Sequence, residues 1–407
     1  MTRVGRFQRW RRIAGAGQAA LALGLPFVTI GGESALRLDV PAGRLHAFGA
    51  SFAIDEAFVV LAAALLVTAA FLLVTLLLGR VWCGWACPQT VLGDLTALVE
   101  RRSGGRRGRW RRLLGLAVVA LVSAVVAANL LWYFVTPQEL FSRLAAGRLG
   151  PVLGGAWAAL TAILFLDLAF LRARFCATAC PYAKLQGVMF DRSTLVVAYD
   201  GRRDAECVDC GACVRVCPTG IDIRDGLQAE CIACAACIDA CTPIMARLGR
   251  APDLVGYFHG EPGGSPRPLR PGVLALGGLT LAAGALLVAV VAARSLLDLT
   301  ALPDEAFRPR VGADGAAVNA YAVALENRAR APVSVSLALD VAGGEVSVRP
   351  DAVALGPGER RQLRVVASAR GLPPGRMQGE LSAAVRAADG ARERRSQRVA
   401  LVVPEAR

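Results

Sequence analysis

The sequence predicts a polytopic α-helical membrane protein with a cysteine-rich cytoplasmic insert and a C-terminal all-β domain. Three observations lead to this prediction. The chain of 407 residues is 55% hydrophobic and has a mean hydropathy of +0.48, which is more apolar than a typical soluble domain. Eight of its 12 cysteines lie between residues 207 and 241. Residues 300–407 contain no cysteine and alternate between apolar and polar side chains.

Five apolar segments are long enough to cross a bilayer, which takes about 20 helical residues. They lie near residues 13–33, 55–79, 113–135, 151–171 and 272–293. Residues 1–171 therefore form a four-span membrane region with a loop at 80–112, and a fifth span follows the cysteine-rich region at 172–271. A cleavable signal peptide is the alternative for the first segment, although no A-x-A cleavage site is evident.

The distribution of arginine predicts the orientation, because cytoplasmic loops of membrane proteins are enriched in basic residues. The arginines before the first segment and after the second are Arg3, Arg6, Arg9, Arg11, Arg12, Arg80, Arg101, Arg102, Arg106, Arg107, Arg109, Arg111 and Arg112. The loops at 34–54 and 136–150 carry only Arg37, Arg44, Arg143 and Arg148. We therefore expect the N-terminus, residues 80–112 and residues 172–271 in the cytoplasm and the chain after 294 outside.

The net charge of +14 does not indicate a nucleic-acid partner. The arginines lie beside apolar segments and have few aromatic residues near them, so the stacking platforms that bind bases are missing. The charge instead fits a protein of the bacterial cytoplasmic (inner) membrane.

Two C-x-x-C-x-x-C-x-x-x-C runs predict two [4Fe–4S] clusters. In this pattern the first three cysteines of a run hold one cluster and the fourth ligates the other. The predicted ligands are Cys207, Cys210, Cys213 and Cys241 for the first cluster and Cys231, Cys234, Cys237 and Cys217 for the second. Zinc and disulfides are the alternatives. Zinc sites usually use paired C-x-x-C units on separate hairpins, and disulfides need an oxidising compartment.

The four remaining cysteines form two C-x-x-x-C-P motifs, each at the cytoplasmic end of a predicted span. They are Cys83 and Cys87 after the second span, and Cys176 and Cys180 after the fourth. If the helices continue, the two cysteines of a motif share one face, and the proline then ends or kinks the helix. Thiolates bind Cu(I), zinc or iron–sulfur clusters. A metal site, a redox dithiol and four packed small residues remain alternatives here. Asp167 is an acid near the inner end of the fourth span and a candidate for proton transfer.

The C-terminal region predicts an immunoglobulin-like sandwich. Residues 333–341 alternate between apolar and polar side chains, and similar runs occur near 318–326, 345–349, 361–368, 379–387 and 396–403. Glycine and proline clusters separate them, which indicates about seven short strands. Without histidine or paired carboxylates, this region fits a binding module better than a catalytic one.

With these motifs together, the chain resembles the FixG/RdxA/CcoG family of cytochrome c oxidase accessory proteins. The resemblance covers nearly the whole chain. It is carried by GRVWCGWACPQTV from Gly79, CPYAKLQGVMFDRSTLVVAYD from Cys180 and CPTGIDIRDGLQAECIACAACIDAC from Cys217, and by Tyr321 to Asn327 in the outer domain. Small departures are the charged run at 201–204 and Thr242, which delays the last proline.

The resemblance implies a membrane iron–sulfur protein that assists assembly of the C-type haem–copper oxidase. It implies that Cys83, Cys87, Cys176 and Cys180 bind copper and reduce Cu(II) to Cu(I), with electrons from the two clusters. Its partners would be copper, oxidase assembly factors or copper chaperones and an unidentified electron donor. A homo-oligomer is compatible with the sequence.

Two other functions remain alternatives. The first is a quinol dehydrogenase like the membrane ferredoxins of periplasmic nitrate reduction, which also pair C-x-x-x-C-P motifs with two clusters. The second is a non-enzymatic assembly scaffold whose clusters only stabilise the fold.

Overall fold

The computed structural model describes residues 5–53, 56–102, 109–312, 315–329, 331–386 and 392–404, with the backbone alone at 98–102, 111, 386 and 392. Arg3, Arg106 and Arg107, which supported the predicted orientation, lie outside these ranges, as do the side chains of Arg101, Arg102 and Arg111. The chain divides into two compact units, Met1–Ala289 and Val290–Arg407.

The first unit is mainly helical. Its helices are α1 (Arg6–Gly24), α2 (Ala57–Leu78), α3 (Val81–Trp85), α4 (Pro88–Arg102), α5 (Arg109–Trp132), α6 (Pro137–Ala145), α7 (Gly150–Leu166, continued as a π-helical turn at Asp167–Leu171), α8 (Ala173–Thr178), α9 (Pro181–Met189), α10 (Ala212–Val216), α11 (Ala236–Arg247) and α12 (Pro271–Ala292). Short 3₁₀ turns lie at Leu25–Phe27, Gly201–Glu206 and Ile223–Asp225.

The strands of the first unit are short. They are β1 (Thr29–Ile30), β2 (Glu33–Ser34), β3 (Leu36–Asp39), β4 (Arg44–Ala47), β5 (Ala50–Ala53), β6 (Leu195–Tyr199) and β7 (Val255–His259). Strands β3, β4 and β5 form an antiparallel sheet between α1 and α2. Strands β6 and β7 form an antiparallel pair that flanks the cysteine-rich region.

Within the described part, four helices are long and apolar enough to cross a membrane: Ala57–Leu78, Arg112–Trp132, Gly150–Leu171 and Pro271–Ala292. They coincide to within a few residues with the predicted second to fifth segments. These four helices, together with the cysteine-rich and β-rich regions, make this a membrane protein with two further kinds of domain.

The first predicted segment differs from the structure. We expected an apolar helix at 13–33, but α1 begins at Arg6 and ends at Gly24, and it is not among the four helices above. Pro26 lies in the 3₁₀ turn after α1, and Gly31 and Gly32 adopt positive φ angles of 66° and 87° in the turn between β1 and β2. Proline and a left-handed glycine pair both favour a turn over a continued helix.

Contacts show which way α1 runs in the first unit. Near its start, Arg11 forms a salt bridge of 2.7 Å with Asp94 of α4. Near its end, the carbonyl oxygen of Ala22 accepts hydrogen bonds from Asn129 of α5 (3.0 Å) and from Tyr133, which follows α5 (2.9 Å). Helix α1, about 28 Å long at 1.5 Å per residue, therefore extends from the middle of α4 to the far end of α5.

The ends of α2 and α12 lie together beside the β6–β7 pair. The carbonyl oxygen of Leu76 near the end of α2 accepts hydrogen bonds from Thr194 (2.9 Å) and from Arg270 (2.6 Å), which precedes α12. The end of α2 and the start of α12 therefore lie on the same side of the helices as the cysteine-rich region. We call this the cluster side.

The second unit is a sandwich of two antiparallel sheets. Its strands are β8 (Leu297–Pro303), β9 (Arg310–Val311), β10 (Ala317–Asn327), β11 (Val333–Asp340), β12 (Glu345–Arg349), β13 (Ala352–Leu355), β14 (Arg360–Arg370), β15 (Gly375–Arg386) and β16 (Arg392–Val403). One sheet has the order β12-β14-β10-β8, with β9 paired to β10, and the other has the order β13-β11-β15-β16. The structure describes more strands in this unit than the seven expected. Strands β8, β9 and β13 were not predicted, because their side chains do not alternate clearly between apolar and polar.

The predicted alternation in β11 is confirmed. Val333, Val335, Leu337 and Leu339 are buried and the residues between them are exposed. Tyr321 is also buried, and its hydroxyl donates a hydrogen bond to the carbonyl oxygen of Ala400 on the other sheet (2.9 Å). A polar group of this kind is tolerated in a core because it is hydrogen-bonded.

Candidate functional site: two cysteine groups and a four-thiol site

All 12 cysteines lie in the described part of the chain, and each is a free thiol. The eight cysteines of the two runs lie on or next to two helices, α10 and α11. Cys213 lies on α10 and Cys217 directly follows it, whereas Cys237 and Cys241 lie on α11. Asp209, Gly211, Ala233 and Ala235 have positive φ angles between 46° and 61°. These left-handed residues curve each loop around its cysteines.

One cavity joins cysteines from both runs. It is lined by Cys213 and Cys217 from the first run and by Cys231, Cys234 and Cys237 from the second, and of these two first-run thiols Cys217 is the one that acts on Cys231, Cys234 and Cys237. Burial raises the pKa of the Cys231 thiol to about 11, and the neighbouring Cys234 and Cys217 raise it further. A thiol of the first run therefore faces three of the second. We call these four residues the second cysteine group.

The remaining four cysteines of the runs form the first cysteine group: Cys207, Cys210, Cys213 and Cys241. Burial raises the pKa of the Cys241 thiol to about 11, and Cys213, Cys210 and Cys207 contribute in that order. Cys210 is exposed, whereas Cys234 of the second group is buried. The first group therefore lies nearer the surface.

The donor set of each group fits a [4Fe–4S] cluster, which takes four thiolates. Each thiolate of such a cluster binds a different iron, so the sulfurs surround the cluster instead of meeting at one point. Among the described residues, no three His, Cys, Asp or Glu side chains are placed to bind one metal ion, and this includes Cys83, Cys87, Cys176 and Cys180.

The C-x-x-x-C-P motifs do not continue as single helices, contrary to the conditional expectation. Helix α3 ends at Trp85 and α8 ends at Thr178, so the first cysteine of each motif lies on a short helix and the second lies beyond it. Pro88 and Pro181 begin α4 and α9 instead of ending a helix. Proline is favoured at the first position of a helix, because its missing N–H would have no partner there.

These four thiols nevertheless lie near enough to affect one another's ionisation, although no three of them are placed to bind one metal ion. Burial raises the pKa of the Cys83 thiol to about 12, and Cys87, Cys176 and Cys180 all contribute. Burial raises the pKa of the Cys176 thiol to about 11, and Cys87, Cys180 and Asp167 contribute. We call Cys83, Cys87, Cys176 and Cys180 the four-thiol site.

Asp167 lies beside this site. It begins the π-helical turn that follows α7, and its Oδ1 atom is buried without a hydrogen-bond partner in the described part. A π-helical turn often occurs at a functional site, because the extra residue redirects a side chain.

A buried polar network holds Cys83, and the motifs did not predict it. The Cys83 thiol donates to Oε1 of Gln186 (3.2 Å), and Gln186 Nε2 donates to Thr75 Oγ1 (3.3 Å). Thr75 is hydrogen-bonded to Tyr182 (2.7 Å), and Gln186 is fully buried. No signal in the sequence indicated this network beyond the presence of Gln186 in the CPYAKLQGV stretch.

The four-thiol site packs directly against the loop of the second cysteine group. A Cβ atom on Gly84, between Cys83 and Cys87, would overlap the carbonyl oxygen of Ile232 and lie 2.9 Å from the backbone nitrogen and Cα of Cys234. Trp85 Nε1 donates to the carbonyl oxygen of Ala233 (3.3 Å). The backbone of one site therefore touches the backbone of the other.

Three family models match the chain. A 4Fe-4S binding domain matches residues 60–106, a 4Fe-4S dicluster domain matches residues 171–204 and 201–260, and the Ig-like fold at the C-terminus of FixG matches residues 287–404. The matches support iron–sulfur clusters in the first unit and an immunoglobulin-like fold for the second. The first of them includes Cys83 and Cys87, and the second includes Cys176 and Cys180.

Three curated proteins illustrate the relationship. The chain is 33% identical to protein RdxA of Cereibacter sphaeroides over 356 residues, which cover 78% of this chain and 75% of RdxA. It is 31% identical to the nitrogen fixation protein FixG of Rhizobium meliloti, over 76% of this chain and 71% of FixG. It is 29% identical to the ferredoxin-type protein NapH of Haemophilus influenzae, over 55% of this chain and 79% of NapH. The extent of the first two matches shows that the chain belongs to the FixG/RdxA family.

Proposed function

We propose that this membrane iron–sulfur protein reduces Cu(II) to Cu(I) at the four-thiol site and thereby assists assembly of a haem–copper oxidase. One observation carries the proposal. The turn between Cys83 and Cys87 is in backbone contact with the loop of the second cysteine group, at Gly84 and Cys234. Two redox-active groups in contact suit electron transfer between them.

The proposed ligands of the first cluster are Cys207, Cys210, Cys213 and Cys241, and those of the second are Cys231, Cys234, Cys237 and Cys217. The crossed arrangement of the two cysteine groups supports this assignment. When bound, such clusters supply single electrons. The surface position of the first group suits an encounter with an electron donor, and the buried second group suits transfer within the protein.

The substrate at the four-thiol site is copper. Cu(II) takes up one electron and becomes Cu(I), and no bond of the protein is broken. Thiolates prefer the softer Cu(I) ion, so binding at this site favours the reduced product. Gln186 fixes the Cys83 thiol through its hydrogen bond, which limits the orientations that the sulfur can take.

We further propose five spans, with the cluster side in the cytoplasm and the second unit in the periplasm. Helix α1 supports a first span in addition to the four long helices, because its contacts extend from Asp94 at one end to Asn129 at the other. The arginines at 6–12 and at 109–112 lie at the ends of α1 and α5 that this arrangement places in the cytoplasm.

The test compares wild type with a variant in which Cys83, Cys87, Cys176 and Cys180 are all alanine. We expect the variant to bind about eight irons per chain, like wild type, and to lose at least tenfold in Cu(II) reduction, measured with a Cu(I)-specific chelator. Undiminished copper reduction would refute the four-thiol site. A loss of about four irons in the variant would instead indicate that these thiols hold a further cluster.

Quinol oxidation is the second candidate. The buried Oδ1 atom of Asp167 beside Cys176 favours it, because quinol oxidation releases protons that an acid at the membrane edge could accept. Reduction of the clusters on addition of a quinol, with no response to copper, would support this candidate. Normal oxidase assembly in cells that lack the cluster ligands would favour the scaffold instead.

A further inference from the structure

Arg80 is a buried cation between the two cysteine sites. It lies at the N-cap of α3 and is 4% exposed. Its guanidinium donates hydrogen bonds to the carbonyl oxygens of Ala229 and Ala183, and its Nε is buried without a partner in the described part. Burying a charge is costly unless nearby groups compensate it, so a charge held by two carbonyl groups indicates a further anionic partner.

The two carbonyl acceptors belong to different sites. Ala229 lies two residues before Cys231 of the second cysteine group, and Ala183 follows Cys180 of the four-thiol site on α9. The guanidinium therefore ties the second loop to the four-thiol site. The guanidinium also lies over the ring of Phe190, whose centroid is 5.8 Å from the guanidinium carbon.

The charge of Arg80 reaches thiols of both sites. Burial raises the pKa of Cys83, Cys176 and Cys231, and Arg80 opposes the increase in all three. Of the charged groups that act on Cys83, the other three are thiols of the four-thiol site, and Asp167 acts on Cys176. Arg80 is therefore a cation within electrostatic reach of both sites, in agreement with its hydrogen bonds to Ala229 and Ala183.

We propose that Arg80 is a positioning residue shared by the second cysteine group and the four-thiol site, where its buried charge stabilises negative charge on both. The inference rests on the proposed function, because it assumes a cluster at the second group. A cluster that gains an electron becomes more negative, so a nearby fixed cation favours its reduced form.

The decisive measurement is the reduction potential of each cluster in the full-length protein, followed by electron paramagnetic resonance during a redox titration. We expect Arg80→Gln to disfavour reduction of the second cluster at least tenfold, a shift of about 59 mV for one electron, and to leave the first cluster unchanged. Cys234→Ser and Cys210→Ser variants assign the two signals. Arg80→Lys keeps the charge and should retain most of the wild-type potential.

Arg224→Gln is the matched control at the first cysteine group. Arg224 also opposes the pKa increase of a cluster-region thiol, Cys213. However, its charge is already paired with Asp222 (2.6 Å) and Asp209. The side chain of Arg224 is 30% exposed, so water screens its charge more than the buried charge of Arg80, and we expect a smaller shift of the first cluster than Arg80→Gln produces in the second.

The outcomes separate the inference from the proposed function. Wild-type protein without two cluster signals would refute the proposed function. Two clusters with unchanged potentials in Arg80→Gln would overturn the role of Arg80 alone. If Arg80→Gln fails to hold the second cluster, Arg80→Lys decides: a near wild-type potential supports the charge, and a lowered one overturns it. Loss of both clusters in both variants also overturns the role of Arg80, because its hydrogen bonds reach the loop of the second cysteine group and not that of the first.

Discussion

At the scale of single residues, Gly84 is a point of close contact between the four-thiol site and the second cysteine group. Its Cα faces the backbone of Ile232 and Cys234, so there is no room for a side chain. Its backbone angles do not require glycine, since Gly84 is not among the positive-φ residues. The absence of a Cβ is therefore required by the neighbouring loop and not by the local conformation.

We predict that Gly84→Ala destabilises the protein by about 1–3 kcal/mol, the usual cost of overpacking, and lowers the iron content of the second group. The added methyl would overlap the carbonyl oxygen of Ile232, which is backbone and cannot rotate away. Thermal unfolding of the detergent-solubilised protein and iron analysis measure the two effects.

Gly93→Ala is the control for this prediction. Gly93 lies on α4, and an added Cβ would meet no atom within 4 Å. Alanine is favoured over glycine in a helix by about 1 kcal/mol, so this variant should be slightly more stable than wild type. A Gly84→Ala protein as stable as Gly93→Ala would contradict the close contact between the two sites.

At the scale of elements, helix α1 determines the number of spans. Its first half carries four arginines and its second half is apolar, so no window of it is as apolar as the four long helices. It nevertheless contacts Asp94 of α4 near its start and Asn129 of α5 near its end. The mean hydropathy of α1 depends only on its composition, whereas its contacts show where the helix lies beside α4 and α5.

We predict that α1 carries the following residues out of the cytoplasm. Alkaline phosphatase, which is active only outside, should be active when fused after Pro41, between α1 and α2. Fused after Arg80, at the end of α2, it should be inactive, because a second span returns the chain to the cytoplasm. An inactive fusion after Pro41 would contradict a membrane-spanning α1 and would reverse the predicted sidedness of the spans that follow.

The C-x-x-x-C-P motifs are a second element whose geometry sequence reasoning missed. Cys83 and Cys87 have the spacing of one helical turn, which predicts a shared helix face. In the structure, α3 ends at Trp85 and the proline at 88 begins α4. A proline after a cysteine can end one helix or begin another, and only the positions of the neighbouring helices determine which occurs.

At the scale of the whole molecule, the two units depend on different forces. The second unit contains no cysteine, and residues such as Leu325, Val365 and Leu381 in its core are fully buried. The cysteine-rich part of the first unit has a small core, built around Val197, Ile223 and Ile238. A small core of this kind often needs metal ligation to fold stably.

We therefore predict that removal of iron unfolds the cysteine-rich region and leaves the second unit folded. After treatment with an iron chelator, amide hydrogen exchange should increase at residues 195–259 and remain slow at residues 317–327 and 333–340. The untreated protein, with slow exchange in both regions, is the control. Fast exchange in both regions after chelation would show that the second unit depends on the clusters.

The sequence by itself determined the elements whose signals are local. Cysteine spacing indicated iron–sulfur clusters, because the loop around a cluster has a fixed length, and the crossed pairing of its ligands stays a prediction. Composition predicted four of the apolar helices, and alternation predicted strands such as β11. The second unit was recognised from the same alternation, although β8, β9 and β13 were missed because their side chains do not alternate clearly.

Only the tertiary structure decided which distant residues meet. It brought Cys83 and Cys87 together with Cys176 and Cys180, and it placed Gly84 against Cys234 and the charge of Arg80 between two sites. These contacts join segments about 100 residues or more apart, so no local pattern contains them. Burial and charge depend on what packs around a residue, and packing is a property of the folded chain.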